Sequence, residues 1–148
     1  MINDESGAIG GLEGLAFGVL LFAFGTLMVV NAWAVVDGKM VASAAAREAT
    51  RSFVESADER AATIAAENAA LRVANSRREA HTSVEVTPLS NAGFGRCESV
   101  TATVRIDVPR VSLPLIGGVG GVFPVSSSHT EVIDPYRSGL TSTATCSM

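Results

Sequence analysis

Few side chains in this sequence could carry out catalysis or bind a metal. The two histidines, His81 and His129, lack the spacing to Cys, Asp or Glu that a metal site requires. Ser128, His129 and Asp134 could be combined into a hydrolytic triad, as such residues can in most sequences, but no G-x-S-x-G motif is present. The GGVGG segment at 117–121 lacks the third glycine of a dinucleotide-binding loop. We therefore expect no catalytic residues, no metal and no cofactor, and a protein that is not an enzyme.

The two cysteines, Cys97 and Cys146, are expected to form a disulfide bond. In the chain-entropy model, closing a loop of about 50 residues contributes about 4 kcal/mol. The bond would also place this part of the chain in an oxidising compartment. The alternative is two unpaired thiols in a cytosolic domain.

The composition excludes several classes of protein. The chain has 148 residues, of which 47% are apolar but only 5% aromatic. That length allows one modest domain, and hydrophobicity carried by small aliphatic residues suits packing between helices. The net charge of -4 provides no positive field to hold nucleic acid.

Apolar residues are concentrated near the amino end. Residues 14–36 contain no ionisable side chain and lie between Glu13 and Asp37. As a helix they would span roughly 30 Å of hydrocarbon, which predicts a transmembrane segment. Its polar residues, Thr26 and Asn31, can be satisfied within the helix or by a neighbour. The alternative is a secretory signal cleaved after an Ala-Trp-Ala sequence, but the apolar run is too long and its leader is acidic.

Four glycines in or beside this segment share one stripe of a helix: Gly10, Gly14, Gly18 and Gly25. Small residues let two lipid-embedded helices approach closely, so the stripe predicts a contact between subunits. The alternative is that glycine is simply common in membrane helices.

Glu13 is a carboxylate at the edge of the apolar segment. It could be a boundary residue that the positive end of the helix dipole stabilises. Alternatively, a charge held against lipid requires a partner, and the amino terminus of a neighbouring subunit would provide one.

Residues 38–80 are rich in alanine, glutamate and arginine and contain no proline, which predicts a helix that continues the membrane segment. A kink is expected at Asp37 and Gly38. The larger apolar residues are sparse, so this amphipathic helix needs another element for burial.

Residues 81–148 indicate a small antiparallel sheet. Polar and apolar residues alternate over 82–87 and, more clearly, over 100–108. A mobile loop is expected at 112–128, followed by a short strand at 129–134. The predicted fold class is therefore α+β, with a long amino-terminal helix followed by a small sheet domain.

This order of features, with Glu13 before the apolar helix and AAAREA at 44–49, resembles the TadE-like pilus assembly proteins. These are pseudopilins or minor pilins of tight-adherence (Flp-type) pili. The resemblance covers the whole architecture, and its specific motif lies in about residues 7–51. It implies a pilin-like fold and a structural subunit of a type IV pilus or related secretion system.

The resemblance also implies processing and partners. A prepilin peptidase would cut between Ala8 and Ile9, so that Glu13 becomes the fifth residue. The partners would be other pilin-like subunits, the inner-membrane assembly platform and the lipid bilayer. The alternative function is a single-pass membrane anchor whose exported domain binds a ligand and never assembles. The expected segments are a leader (1–8), a transmembrane helix (9–37), an exported helix (38–80) and a β-rich domain (81–148).

Overall fold

The computed structural model contains two helices followed by three strands, which confirms the α+β fold. It describes residues 6–76, 81–88, 94–111, 121–140 and 146, with side chains from residue 13 onward except those of 81–88. The helices are α1 (Ser6–Val54) and α2 (Glu59–Ser76). The strands are β1 (His81–Pro88), β2 (Ser99–Pro109) and β3 (Val122–Val132).

The helical region is divided differently from the expected single helix over 38–80. Helix α1 continues through Asp37 and Gly38 without a break, and the chain turns only between Val54 and Glu59. Asp58 begins the second helix, because its Oδ1 accepts a hydrogen bond from the Ala61 N–H at 2.9 Å. An aspartate in this position satisfies an amide that the first turn of a helix leaves without a partner.

Helix α2 packs against α1 through small side chains. Every buried side chain of α2 is an alanine, and four alanines of α1 are also fully buried. Small side chains allow two helices to pack at a short distance, which explains the alanine-rich composition of this region. These residues are Ala42, Ala45, Ala46 and Ala49 of α1, and Ala62, Ala66, Ala69, Ala70 and Ala74 of α2.

The three strands form one antiparallel sheet in the order β1-β2-β3. The alternation predicted over 100–108 is confirmed, because every second side chain of β2 is buried while those between them are not. The buried residues of β2 are Val100, Ala102, Val104, Ile106 and Val108. With Val125 and Ile133 they form the core of the domain against the helices.

Strand β3 begins inside the stretch that was expected to be a loop. The Arg110 N–H donates to the carbonyl of Gly121 at 2.8 Å. In an antiparallel pair every second residue has its backbone N–H and carbonyl directed at the partner strand, so from Gly121 onward the odd-numbered residues hydrogen-bond to β2. The backbone groups of Pro124 and Ser126 therefore lie on the outer edge, where proline removes no ladder hydrogen bond. Lys39 of α1 donates to the Ser126 carbonyl and covers part of this edge.

Helix α1 lies across the sheet at Gly38, which is buried. A Cβ atom at this position would overlap the side chain of Val108 and also contact Val125. Glycine is therefore required here by the close approach of helix and sheet. Ala34 and Val35, one turn earlier, already pack on the edge of the same core.

Candidate functional site

The amino-terminal part of α1 is an apolar surface with no cover. Between residues 13 and 30, every side chain is exposed except that of Leu27, which is half-buried. Phe22 is 76% exposed and Phe24 64%. Within the described chain, this is the one helix long and apolar enough to cross a membrane. So large an apolar surface is rare on a soluble monomer and indicates a membrane or protein contact.

The glycines of the predicted stripe face open space. Apart from the backbone of α1 itself, no atom of the described residues lies within 4 Å of the position that a Cβ would take at Gly14, Gly18 or Gly25. Contacts among the described residues therefore give no steric reason for glycine at these three positions, in contrast to Gly38. Gly10 lies in α1 before the part with described side chains. Packing of the stripe against a second helix remains a prediction.

Glu13 is exposed and takes part in no ion pair with the described residues. An ion pair joins Arg51 and Glu55 near the end of α1, at 3.0 Å. Through this hydrogen bond and its negative charge, the Glu55 carboxylate raises the pKa of Arg51. Ala8 and Ile9 both lie within α1, and their processing remains a prediction.

Asn31 joins the apolar helix to the sheet domain. Its Nδ2 donates to the carbonyl of Val111 at 3.0 Å, and its Oδ1 accepts from the Val111 N–H at the same distance. Nδ2 also donates to the carbonyl of Leu27 at 2.9 Å, one turn earlier in α1. The sequence predicted that Asn31 could be satisfied inside the helix or by a neighbour; the bond to Leu27 confirms the first, and the contact with the sheet domain of the same chain was not predicted.

This contact sets the limit of the uncovered helix. The described part of the sheet domain reaches α1 at Asn31 and packs on it from Ala34 onward. The uncovered segment, residues 13–30, is about 27 Å long at 1.5 Å per residue. It matches the hydrocarbon core of a bilayer more closely than the predicted segment 14–36, whose last turns face the sheet.

The expected disulfide between Cys97 and Cys146 is present, with the two Cα atoms 5.3 Å apart. Cys97 and Glu98 form a β-bulge opposite Ile133. The Cys97 N–H donates to the Ile133 carbonyl, and the Ile133 N–H donates to the Glu98 carbonyl, so two residues of one strand pair with one residue of the other. The φ of Cys97, 67°, is in the left-handed region that non-glycine residues seldom adopt. The bond attaches the end of the chain to the start of β2.

Arg137 lies at the end of the domain opposite Asn31, where α1 ends. No role for this residue was predicted from the sequence. Its guanidinium donates to the carbonyls of Val54, Glu55 and Ser56, where α1 ends. These groups have no partner within the helix, so the arginine caps it. The same guanidinium lies 5.8 Å from the ring of Phe94. No local pattern predicts this cap, because Arg137 is distant in sequence from the helix.

The hydrolytic triad weighed from the sequence is not assembled. The hydroxyl of Ser128 lies 2.9 Å from that of Thr103, its cross-strand neighbour on the outer face of the sheet. His129 is the next residue of the strand and so points to the opposite face. Among the described residues, no group of three or more His, Cys, Asp or Glu side chains could hold a metal. For His81 only the backbone, in β1, is described.

The features that bear on function are therefore an uncovered apolar helix, the Asn31 junction and a disulfide-bonded sheet domain. The first two lie at one end of the domain, and the disulfide attaches the chain terminus to the sheet. Comparison of the chain with protein-family models, curated proteins and solved structures finds no match.

Proposed function

We propose that the chain is a membrane-anchored, pilin-like structural subunit that assembles through α1. It would act as a minor pilin or pseudopilin of a tight-adherence type IV pilus or a related secretion system. One observation carries the proposal: α1 is a single helix whose first part, residues 13–30, is apolar and uncovered while its second part forms the core of a folded domain. The helix therefore presents a surface that other molecules must cover.

Two environments can cover this surface in turn. Before assembly, lipid would surround the helix, because its backbone groups are satisfied internally and its side chains are apolar. In a filament, the same segment of neighbouring subunits would replace the lipid. The helix is surrounded by apolar groups in both environments, so the hydrophobic effect contributes little to the exchange. Close packing between helices would therefore provide the stability of the contact. The open positions at Gly14, Gly18 and Gly25 are suited to such packing.

Glu13 would direct the assembly. A carboxylate against hydrocarbon is costly unless it is paired, and Glu13 has no ion-pair partner within the described chain. Cleavage between Ala8 and Ile9 by a prepilin peptidase would create a new positive amino terminus four residues before it. The terminus of one subunit and Glu13 of the next would then neutralise each other.

The sheet domain would lie on the exported side of the membrane. The disulfide between Cys97 and Cys146 supports this side, because such bonds persist in oxidising compartments. The chain would first be a single-pass protein of the inner membrane. It would then enter an extracellular pilus through the assembly platform and other pilin-like subunits.

The test compares Glu13→Gln with a matched control, Glu67→Gln. Glu67 is an exposed glutamate on α2 and forms no ion pair with the described residues. Both variants would be expressed in cells that assemble the pilus, and the chain would be quantified in membranes and in filaments released by shearing. We expect Glu13→Gln to reach the membrane at the normal level but to be lost from filaments, while Glu67→Gln enters both. Normal incorporation of Glu13→Gln would contradict the mechanism.

The second candidate function is a membrane-anchored exported domain that binds a ligand without assembling. The outer face of the sheet favours it, because that face carries paired hydroxyl groups: Thr101 with Thr130 at 2.7 Å and Thr103 with Ser128 at 2.9 Å. Absence of the chain from sheared filaments, together with an intact Met1, would favour this function over the first.

A further inference from the structure

One end of the sheet lies beside Asn31, where the uncovered part of α1 ends. The two hydrogen bonds between Asn31 and Val111 hold the end of β2 against α1. At this same end of the β2–β3 ladder, next to Val111, Val122 lies opposite Pro109 and Arg110 bonds to Gly121. Trp33 is on α1, about 3 Å further along the helix axis than Asn31. We call these four residues, Trp33, Arg110, Val111 and Val122, the domain base.

Three residues of the domain base are apolar and exposed. Trp33, the single tryptophan of the chain, is 73% exposed, Val111 is 49% exposed and Val122 is 47% exposed. Exposed apolar side chains are therefore present not only on residues 13–30 of the helix but also at the end of the sheet that contacts Asn31. Tryptophan is enriched at the boundary between lipid and water, where its ring is buried and its N–H remains hydrated.

The fourth residue, Arg110, presents a cation at the same level. Its guanidinium lies 4.7 Å from the centre of the Phe123 ring, and its side chain lies over Gly121. Arg110 makes no ion pair with any residue that the structure describes. The ring contact orients the guanidinium but leaves its N–H groups available. A planar guanidinium can bind the oxygens of a phosphate through two hydrogen bonds.

We propose that the domain base rests in the phospholipid headgroup region of the membrane that α1 crosses. Val111, Val122 and Trp33 contact the apolar side of this region, and Arg110 binds lipid phosphate. The partner is thus a phospholipid surface, and the sheet domain stands directly on it. The inference depends on the proposed anchoring by α1 but not on filament assembly.

The length of the uncovered helix supports this position. A segment of about 27 Å, residues 13–30, nearly fills a hydrocarbon core of about 30 Å. The helix therefore leaves the hydrocarbon close to Asn31, and Val111, which is hydrogen-bonded to Asn31, must lie at the lipid surface. If the sheet domain were further from the membrane surface, a longer part of α1 would have to be free of the sheet. Ala34 and Val35 already pack on the core, so no such free part exists between them and Asn31.

The test moves the single tryptophan to the two ends of β3. The variants are Trp33→Phe/Val122→Trp and its control, Trp33→Phe/Val132→Trp. Val132 is a good match because it is 51% exposed, lies on the same face of β3 and is roughly 34 Å away along the strand. The full chain is reconstituted in phosphatidylcholine and phosphatidylglycerol vesicles, with and without bromine on the lipid acyl chains near the headgroup. Vesicle flotation first establishes that the chain is bound to the vesicles.

We expect the emission of the Val122→Trp variant to be blue-shifted and quenched by brominated lipid, and that of the Val132→Trp variant to be neither. Flotation without quenching of the Val122→Trp variant would overturn the inference and leave the anchoring intact. Failure to float would contradict the anchoring itself and the inference with it. A blue shift without quenching that disappears when the protein is diluted in lipid would assign the domain base to a second copy and overturn the lipid contact.

Arg110→Gln in the same background tests the phosphate contact. Its control is Arg105→Gln, an exposed arginine of β2 roughly 17 Å further from the base. We expect Arg110→Gln to reduce quenching of the Val122→Trp variant and Arg105→Gln to leave it unchanged. Equal quenching in both would overturn the role of Arg110.

Discussion

Asn31 in the apolar helix and Val111 after β2 exchange two hydrogen bonds of 3.0 Å although they lie 80 residues apart in sequence. The side-chain amide of Asn31 thus pairs with the backbone as a neighbouring strand would. This contact separates the uncovered part of α1 from the part that belongs to the domain. It also fixes the distance between the sheet and any membrane that the helix crosses.

Replacing Asn31 with leucine should loosen this junction. The backbone N–H and carbonyl of Val111 would lose their partners, and we expect a loss of about 1–3 kcal/mol in the free energy of unfolding. Urea denaturation of the full chain in detergent micelles, followed by near-ultraviolet circular dichroism, measures the change. Asn68→Leu is the control, because Asn68 is exposed on α2. Equal stability of the two variants would contradict the role of Asn31.

The same substitution at two glycines should affect stability differently. Gly38→Ala places a Cβ against Val108 and should destabilise the domain by about 1–3 kcal/mol. Gly25→Ala adds a Cβ in open space and should not destabilise the domain. In cells, however, Gly25→Ala should reduce recovery of the chain in filaments if the stripe packs against neighbours. Wild-type recovery of Gly25→Ala would remove the glycine stripe from the assembly mechanism.

Arg137→Met should weaken the end of α1. The variant keeps the aliphatic length but leaves the carbonyls of Val54, Glu55 and Ser56 without their donor. Hydrogen bonds from a charged donor contribute about 1.5–3 kcal/mol, so we expect a loss in this range. Amide hydrogen exchange should show faster exchange in the last turn of α1. Arg72→Met, on the exposed face of α2, should change neither quantity.

Reduction of the disulfide should destabilise the domain without unfolding the apolar helix. The two cysteines are 49 residues apart, and in the chain-entropy model a loop of that size contributes about 4 kcal/mol. Urea denaturation with and without a phosphine reductant measures the difference. The double variant Cys97→Ser/Cys146→Ser should match the reduced protein and be insensitive to the reductant. An unchanged midpoint after complete reduction would contradict this role of the bond.

Local patterns in the sequence were sufficient for some of these elements. The alternation from Val100 to Val108 predicted β2, because one face of that strand is buried and the other is not. The pairing of Cys97 with Cys146 was also expected from the sequence, because these are its two cysteines. The uninterrupted apolar residues near the amino end predicted the helix that the structure shows without cover.

Other elements depend on contacts between distant residues. The turn between α1 and α2 contains neither glycine nor proline, and the helical composition of 38–80 concealed it. Asp58 was the local signal that could have revealed it, while the cap from Arg137 was not predictable. The start of β3 lies within the stretch 112–128 that was expected to be a loop; β3 is an edge strand, and such a strand tolerates Pro124.

The amino-terminal residue of the protein recovered from membranes tests the central claim most directly. Intact-mass and amino-terminal peptide mass spectrometry would identify it in cells that contain a prepilin peptidase. A pilin-like subunit is predicted to begin at Ile9, with Glu13 as its fifth residue. An intact Met1 would contradict pilin processing and leave a simple membrane anchor, and a start at Val35 would contradict the membrane anchor as well.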